Sequence, residues 1–358
     1  MIMKRFVITF TITLLMGLLL IGCFVYLEDP FFHYHVPYFG EEAYMDYALY
    51  QTPGAADHLQ YDAVIVGSSM TENFRASWFD EMDLKLLKLS YSGAEFKDYE
   101  TILEHVFNSG NDIKFVLTDI NEFQLLSDVD AVYKEYPEYL YNKEWYDDTE
   151  YLYNNDVFWR AMNQVTKRVS GNQQREDDSY TWEDAELFSE ERARQDYNTC
   201  FEDLMERCTN GTYERLTKED MLVKCEENMD YLIQITARHP ETEFVFFYPP
   251  YSVLFWEEAE AEEEVDDILE MYYATMKKLL ECENVLVFNF QTNEGLVTDL
   301  NRYRDVCHHD PQGNREIYEC IRDTMRGEGE HCGEYLVTEE NLDVYIDLMK
   351  DILTRANQ

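Results

Sequence analysis

From Tyr61 onward, short apolar runs alternate with stretches of helical period, and that alternation restricts the chain to few folds. Residues 63–67, 84–90 and 113–119 are predicted strands. Helices are predicted from 71 to about 80 and over 97–108. Two later runs, 243–248 and 284–290, each follow a helical stretch, 218–238 and 266–281. Strand and helix in strict turn make a parallel sheet with helices on both faces. The expectation is therefore an α/β fold with about five parallel strands. Between the third and fourth strands runs an excursion over 122–216. Structureless loops of that length are uncommon in compact domains, so it is predicted to be a helical insertion, with helices near 156–168 and 189–206.

The N-terminus obeys a different rule. Lys4 and Arg5 precede about 21 uncharged residues, Phe6 to Tyr26, enough at about 1.5 Å per residue to cross a hydrocarbon core of about 30 Å. Basic residues before the run and Glu28-Asp29 after it favour a cytoplasmic N-terminus with the remainder outside. Residues 1–28 are thus expected to be a single-pass anchor, 29–60 an aromatic lead-in and 61–358 the main domain. No Ala-x-Ala cleavage pattern follows the apolar run, whereas Leu20-Ile21-Gly22-Cys23 matches a lipobox, so lipidation at Cys23 is the alternative tether.

Gly67-Ser68-Ser69-Met70 ends the first predicted strand, at the edge of an α/β sheet where ligands bind. A serine there is a nucleophile only if a base takes its proton and a third group orients that base. Asp305-Val306-Cys307-His308 supplies both types of group three residues apart. Asp310-Pro311 then reads as an N-cap and first helical position, opening a helix to about 326 and leaving His308 on a loop.

With these two segments the chain resembles the SGNH or GDSL hydrolases, which carry a serine after the first strand and an Asp-x-x-His pair near the C-terminus. The Gly-Ser-Ser start and single membrane segment resemble, more narrowly, the DltD- and AlgJ-like branch and a group of membrane-anchored Gram-positive SGNH proteins. Asp29-Pro30-Phe31, Tyr61-Asp62-Ala63, Tyr136-Pro137-Glu138-Tyr139-Leu140-Tyr141 and Pro249-Pro250-Tyr251-Ser252 carry that likeness along most of the chain. The resemblance implies a three-layer, flavodoxin-like fold and a triad of Ser69, Asp305 and His308. It also implies an oxyanion site from the Ser69 and Gly93 N–H groups and the Asn121 side chain. Asp119-Ile120-Asn121-Glu122 departs from the family in lacking a glycine two residues before the asparagine. The implied activity is that of an extracytoplasmic serine esterase or O-acyltransferase. Its substrate would be an envelope polysaccharide or teichoic-acid-like polymer, with a membrane-bound O-acyltransferase as acyl donor.

The competing expectation is a non-catalytic SGNH-like scaffold whose aromatic insertion does the binding. That insertion holds Tyr133, Tyr136, Tyr139, Tyr141, Tyr146, Tyr151 and Tyr153 with Trp145 and Trp159. Trp145 and Tyr146, with Tyr251, are the expected substrate contacts; packing of the insertion is the plainer reading of so many rings. A net charge of −44 excludes nucleic acid as a partner, because phosphate counterions are displaced by basic surface. The acidic run 257–267 reads as a solvated face. Outside the anchor, seven cysteines contain no C-x-x-C pair, so no zinc ribbon is expected, and neither a metal nor a cofactor. In an oxidising exterior the candidate disulfides run from Cys200 or Cys208 to Cys225 and from Cys307 or Cys320 to Cys332. Asn210-Gly211-Thr212 matches a glycosylation acceptor.

Overall fold

The computed structural model describes residues 2–36, 38–39, 48–142, 146, 148–172, 177, 181–182, 187–210 and 216–356, except the side chains of 204–205, 207–209 and 353–356. Trp145, Gly211, Thr212 and the Cys208 side chain lie outside the described residues.

The chain divides into two compact units, Met1–Gln60 with His105–Asn111 and Lys134–Tyr180, and Tyr61–Glu104 with Asp112–Tyr133 and Thr181–Gln358. The expected insertion over 122–216 is therefore shared between them.

In the first unit, one helix spans Ile2–Glu28 and is long and apolar enough to cross a membrane. Where it ends, the Asp29 carboxylate accepts the backbone N–H groups of His33, Tyr34 and His35 at 2.7–3.0 Å and the Tyr151 hydroxyl at 2.7 Å. Arg168 grips Glu28 with two bonds of 2.8 and 2.9 Å. Val25, Phe31, Leu140, Tyr151 and Val157 form the buried cluster around that junction, and the Tyr141 hydroxyl donates to the Leu49 carbonyl. These tyrosines pack the unit, whereas Tyr146, Tyr153 and Trp159 are exposed.

The second unit is built on a six-stranded sheet: β1 (Ala63–Ile65), β2 (Leu86–Lys88), β3 (Phe115–Asp119), β4 (Glu243–Tyr248), β5 (Val285–Asn289) and β6 (Leu336–Val337). Its order is β2-β1-β3-β4-β5-β6; the first five strands are parallel and β6 is antiparallel to β5. Five parallel strands match the expectation, and the sixth is an addition. With only two residues, β6 has too little pattern to be read as a strand. Nearly every strand residue is buried, as when both faces are covered. Ile65, Leu117, Val245, Phe247 and Phe288 pack on one face with Phe79, Ile317, Tyr318 and Ile321. On the other face, the Tyr248 hydroxyl donates to Thr275 in the helix Val265–Leu280.

The helix predicted over 71–80 is not formed as such. A succession of tight turns runs from Ser68 to Phe74, and a 3₁₀ helix follows over Ala76–Met82. The cause is the buried ammonium of Lys88, which takes the carbonyls of Glu72 and Phe74 at 2.7 and 3.0 Å and so diverts them from a helical ladder. The helix Pro311–Arg326 opens as predicted, with the Asp310 carboxylate accepting from Gly313 N–H. The helix Leu342–Ala356 was not anticipated. Cys200, Cys225, Cys307, Cys320 and Cys332 all carry free thiols.

Phe247 is fully buried in β4, and its truncation leaves a cavity bounded by rigid sheet. Phe247→Ala is expected to cost about 3–5 kcal/mol, measured as a lower denaturant midpoint for the full chain in detergent.

Candidate functional site

The loops leaving the carboxyl ends of β1, β2, β3 and β4 come together, around the point where strand order reverses between β1 and β3. Such a reversal opens a crevice at the sheet edge. From Ala63 to Phe74 every residue is buried except Ser69, which is partly exposed. The serine is thus the one side chain of this loop presented outward.

The Ser69 Oγ lies 2.7 Å from His308 Nε2, and His308 Nδ1 lies 2.8 Å from Asp305 Oδ2. The histidine loop is a small closed hairpin. Asp310 N–H donates to the Arg302 carbonyl, Arg304 N–H to the His308 carbonyl, and Tyr303 pairs with His309. Arg302 adds ion pairs to Asp310 at 2.7 Å and Glu316 at 3.0 Å. Pro249-Pro250-Tyr251-Ser252 braces this hairpin, since the Tyr303 hydroxyl donates to the Pro250 carbonyl and Ser252 donates twice to the Val306 carbonyl. A direct tie between the two halves runs from the Asn314 amide to the Met70 carbonyl, 2.7 Å.

Burial opposes charge on Asp305, but the His308 imidazole and the backbone N–H groups of Cys307 and His308 outweigh it and hold the carboxyl at about 2. For His308, burial again opposes charge. The Cys307 sulfur and the Asp305 carboxylate beside Nδ1 overcome it and raise the imidazole well above 6.5. Burial also raises the Cys307 thiol above 9.0, so at neutral pH the negative charge standing at Nδ1 is that of Asp305. This set can take a proton from the serine hydroxyl and hold the resulting imidazolium against a carboxylate. Trp182 meets the His308 ring edge-on at 5.4 Å, and Arg304 lies over the Trp182 ring at 5.0 Å.

Asn121, the expected third oxyanion donor, has its amide hydrogens already engaged. It is buried, and its amide nitrogen already faces Asp119 Oδ2 at 2.6 Å, Ser68 Oγ at 3.1 Å and Gln124 Oε1 at 3.1 Å. Two amide hydrogens shared among three acceptors leave none for a ligand. Tyr251 is likewise corrected from substrate contact to support: it is buried, and its hydroxyl donates to Asn121 Oδ1 at 2.9 Å. Both residues serve Asp119, the position where the resembled family has glycine. The Asp119 carboxylate accepts from Ser68 N–H at 2.9 Å, the Ser68 hydroxyl and the Tyr99 hydroxyl at 2.7 Å, besides Asn121.

Gly93 lies on the loop after β2. Its φ of +76° suits glycine, and a side chain there would strike the Tyr133 ring, 2.7 Å from a Cβ. The loop is fixed beside the serine by Tyr91 N–H to the Gly67 carbonyl and by Ser92, whose N–H and hydroxyl both reach the Glu72 carboxylate at 2.7 and 2.9 Å. Tyr146 is exposed and belongs to the first unit. Sequence reasoning overlooked Asp119, Glu72 and Trp182. A charged residue closing an apolar strand was a visible signal for Asp119; nothing in the sequence marks Trp182.

Gly67 lies in close contact with Thr71 and with Asp119 at the end of β3. A Cβ would lie 2.2 Å from Thr71 Oγ1 and 2.6 Å from Asp119 Oδ1. Gly67→Ala is expected to destabilise the chain by about 1–3 kcal/mol, read by thermal unfolding, and to alter the near-UV signal of the tyrosines around Asp119.

No protein-family model matches this chain, and no curated protein matches it significantly, so the site stands on its own geometry and on the motifs that its residues resemble.

Proposed function

We propose that the chain is a membrane-tethered serine esterase or O-acyltransferase of SGNH type, acting outside the cytoplasm on an ester of a cell-envelope polymer. The observation that carries this reading is the continuous line from Ser69 Oγ to His308 Nε2, 2.7 Å, and from His308 Nδ1 to Asp305, 2.8 Å. The five parallel strands, the serine directly after β1 and the apolar helix Ile2–Glu28 support it.

In the proposed reaction Ser69 Oγ bonds to the ester carbonyl carbon while its proton passes to His308 Nε2. Asp305 keeps the other ring proton on Nδ1 and offsets the imidazolium charge. The Ser69 and Gly93 N–H groups receive the oxyanion. His308 then returns its proton to the departing alkoxide, leaving an acyl-serine. Water, or a sugar hydroxyl in the transferase, gives its proton to His308 and takes the acyl group, and His308 Nε2 passes that proton to Ser69 Oγ as the acyl–oxygen bond breaks. Trp182 stands edge-on to the imidazole at 5.4 Å, beside the base.

A fluorophosphonate probe should label the full chain in detergent at Ser69, and Ser69→Ala should lower labelling by at least about 10³-fold. Undiminished labelling of the alanine variant would remove the nucleophile and the reading with it. The base form of His308 is the neutral one and its pKa is raised, so the rate of probe inactivation should increase with pH through a midpoint above 6.5. Asp305→Asn removes the carboxylate charge beside Nδ1, which with the Cys307 sulfur raises that pKa. The variant should react more slowly and show a midpoint moved to lower pH; a midpoint unchanged in Asp305→Asn would mean that Asp305 does not control the base.

A further inference from the structure

A second group of chemically reactive side chains lies at the other end of the helix that follows His308. Cys320 sits in the helix Pro311–Arg326, while His331 and Glu334 belong to the loop that leads into β6. A sulfur, an imidazole nitrogen and a carboxylate oxygen from these three residues all lie within 4.8 Å of one another. We propose that Cys320, His331 and Glu334 bind one divalent cation of the zinc class, with water at the fourth position.

The donor types are those that zinc selects, and three protein ligands with an open fourth position are a common set for it. The geometry is held before any cation arrives. His331 Nδ1 and Glu334 Oε2 are 2.9 Å apart, His331 N–H donates to Asp323 Oδ2, and Gly333 N–H donates to Thr324 Oγ1. Gly329, at φ +121°, lets the backbone pass against the Asp323 carboxylate, where a Cβ would be 2.3 Å from its Oδ2. The loop is thereby folded back onto the last turns of the helix. Cys320 is buried, whereas the His331 and Glu334 side chains are 37% and 49% exposed, so a cation can enter from solvent. Among the described ion pairs, Arg302, Arg315 and Arg322 neutralise Glu316, Glu319 and Asp323, and Glu334 meets only the histidine. On binding, the sulfur–metal bond replaces the S–H bond, the proton goes to buffer, and nothing is oxidised. The cation would pin the connection between the histidine-bearing segment and β6. Sequence spacing hides this set, because positions 320, 331 and 334 form no ribbon pattern.

The test uses the full chain in detergent, stripped with a chelator and titrated with Zn²⁺ or Co²⁺ alone. One equivalent should bind, and Co²⁺ should give a near-ultraviolet thiolate charge-transfer band. Cys320→Ser should abolish that band, while Cys332→Ser and Cys307→Ser keep it. The Cys307 control is needed because Asp305, Cys307 and His308 also have donor atoms within 4.8 Å of one another. His331→Ala and Glu334→Ala alter exposed side chains and do not endanger folding. Each should weaken binding by at least about tenfold, the loss seen when even an outer partner of a metal ligand is removed. Absence of stoichiometric binding, a band that survives Cys320→Ser, or one that disappears in Cys307→Ser would overturn the proposal.

Discussion

The Asp119 carboxylate, wholly buried at the end of β3, is the constraint on which the site rests. A carboxylate removed from water is tolerated only when hydrogen-bond donors replace the water, and here the donors come from three separate segments. Ser68 brings the loop after β1, Tyr99 the helix Phe96–Asn108, and Asn121 the loop after β3. Hydrogen bonds to charged groups contribute roughly 1.5–3 kcal/mol each, and losing one leaves a buried acceptor short of a partner. The loops are therefore held as a group. Ser68 faces inward to satisfy Asp119, and its neighbour Ser69 is left facing outward.

The same economy assigns the remaining polar residues. Gln124 and Tyr251 stand behind the direct donors, Tyr251 on Asn121 and Gln124 reaching the Tyr99 hydroxyl and the Ala94 carbonyl at 2.7 Å each. Glu72 fixes the loop that carries Gly93, and Lys88 fixes the turns that carry Glu72. On the opposite side, Asp305 draws four N–H groups, those of Arg304 Nε, the Cys307 and His308 backbone and His308 Nδ1, and becomes a fixed charge beside His308. The adjacent imidazole of His309 is buried instead, and burial lowers it to about 4. Two neighbouring histidines are thus driven in opposite directions, His308 upward by the Cys307 sulfur and the Asp305 carboxylate against its own burial, and His309 downward by exclusion from water.

Much of this was legible in the chain itself. Continuous apolar runs marked all five parallel strands, because strands covered on both faces need no polar alternation. Gly67-Ser68-Ser69 and Asp305-x-x-His308 were visible as candidates, since a three-residue step is short enough for one turn of backbone to place carboxylate against imidazole. The roles of Asn121 and Tyr251 were not legible. An asparagine after a strand has the same letter whether its amide faces a ligand or a buried carboxylate, and the choice depends on Ser68 and Tyr99, 53 and 22 residues away in the chain.

By itself, then, the sequence determined the strand and helix alternation, the apolar N-terminal helix and the choice of Ser69, His308 and Asp305 as candidates, because periodicity and short-range spacing are local properties. Tertiary structure alone decided which serine faces out, which polar residues support the site, and how Lys88 turns a predicted helix into successive turns. Those outcomes depend on buried charges finding partners across long separations in the chain, and no local pattern records where such partners will meet.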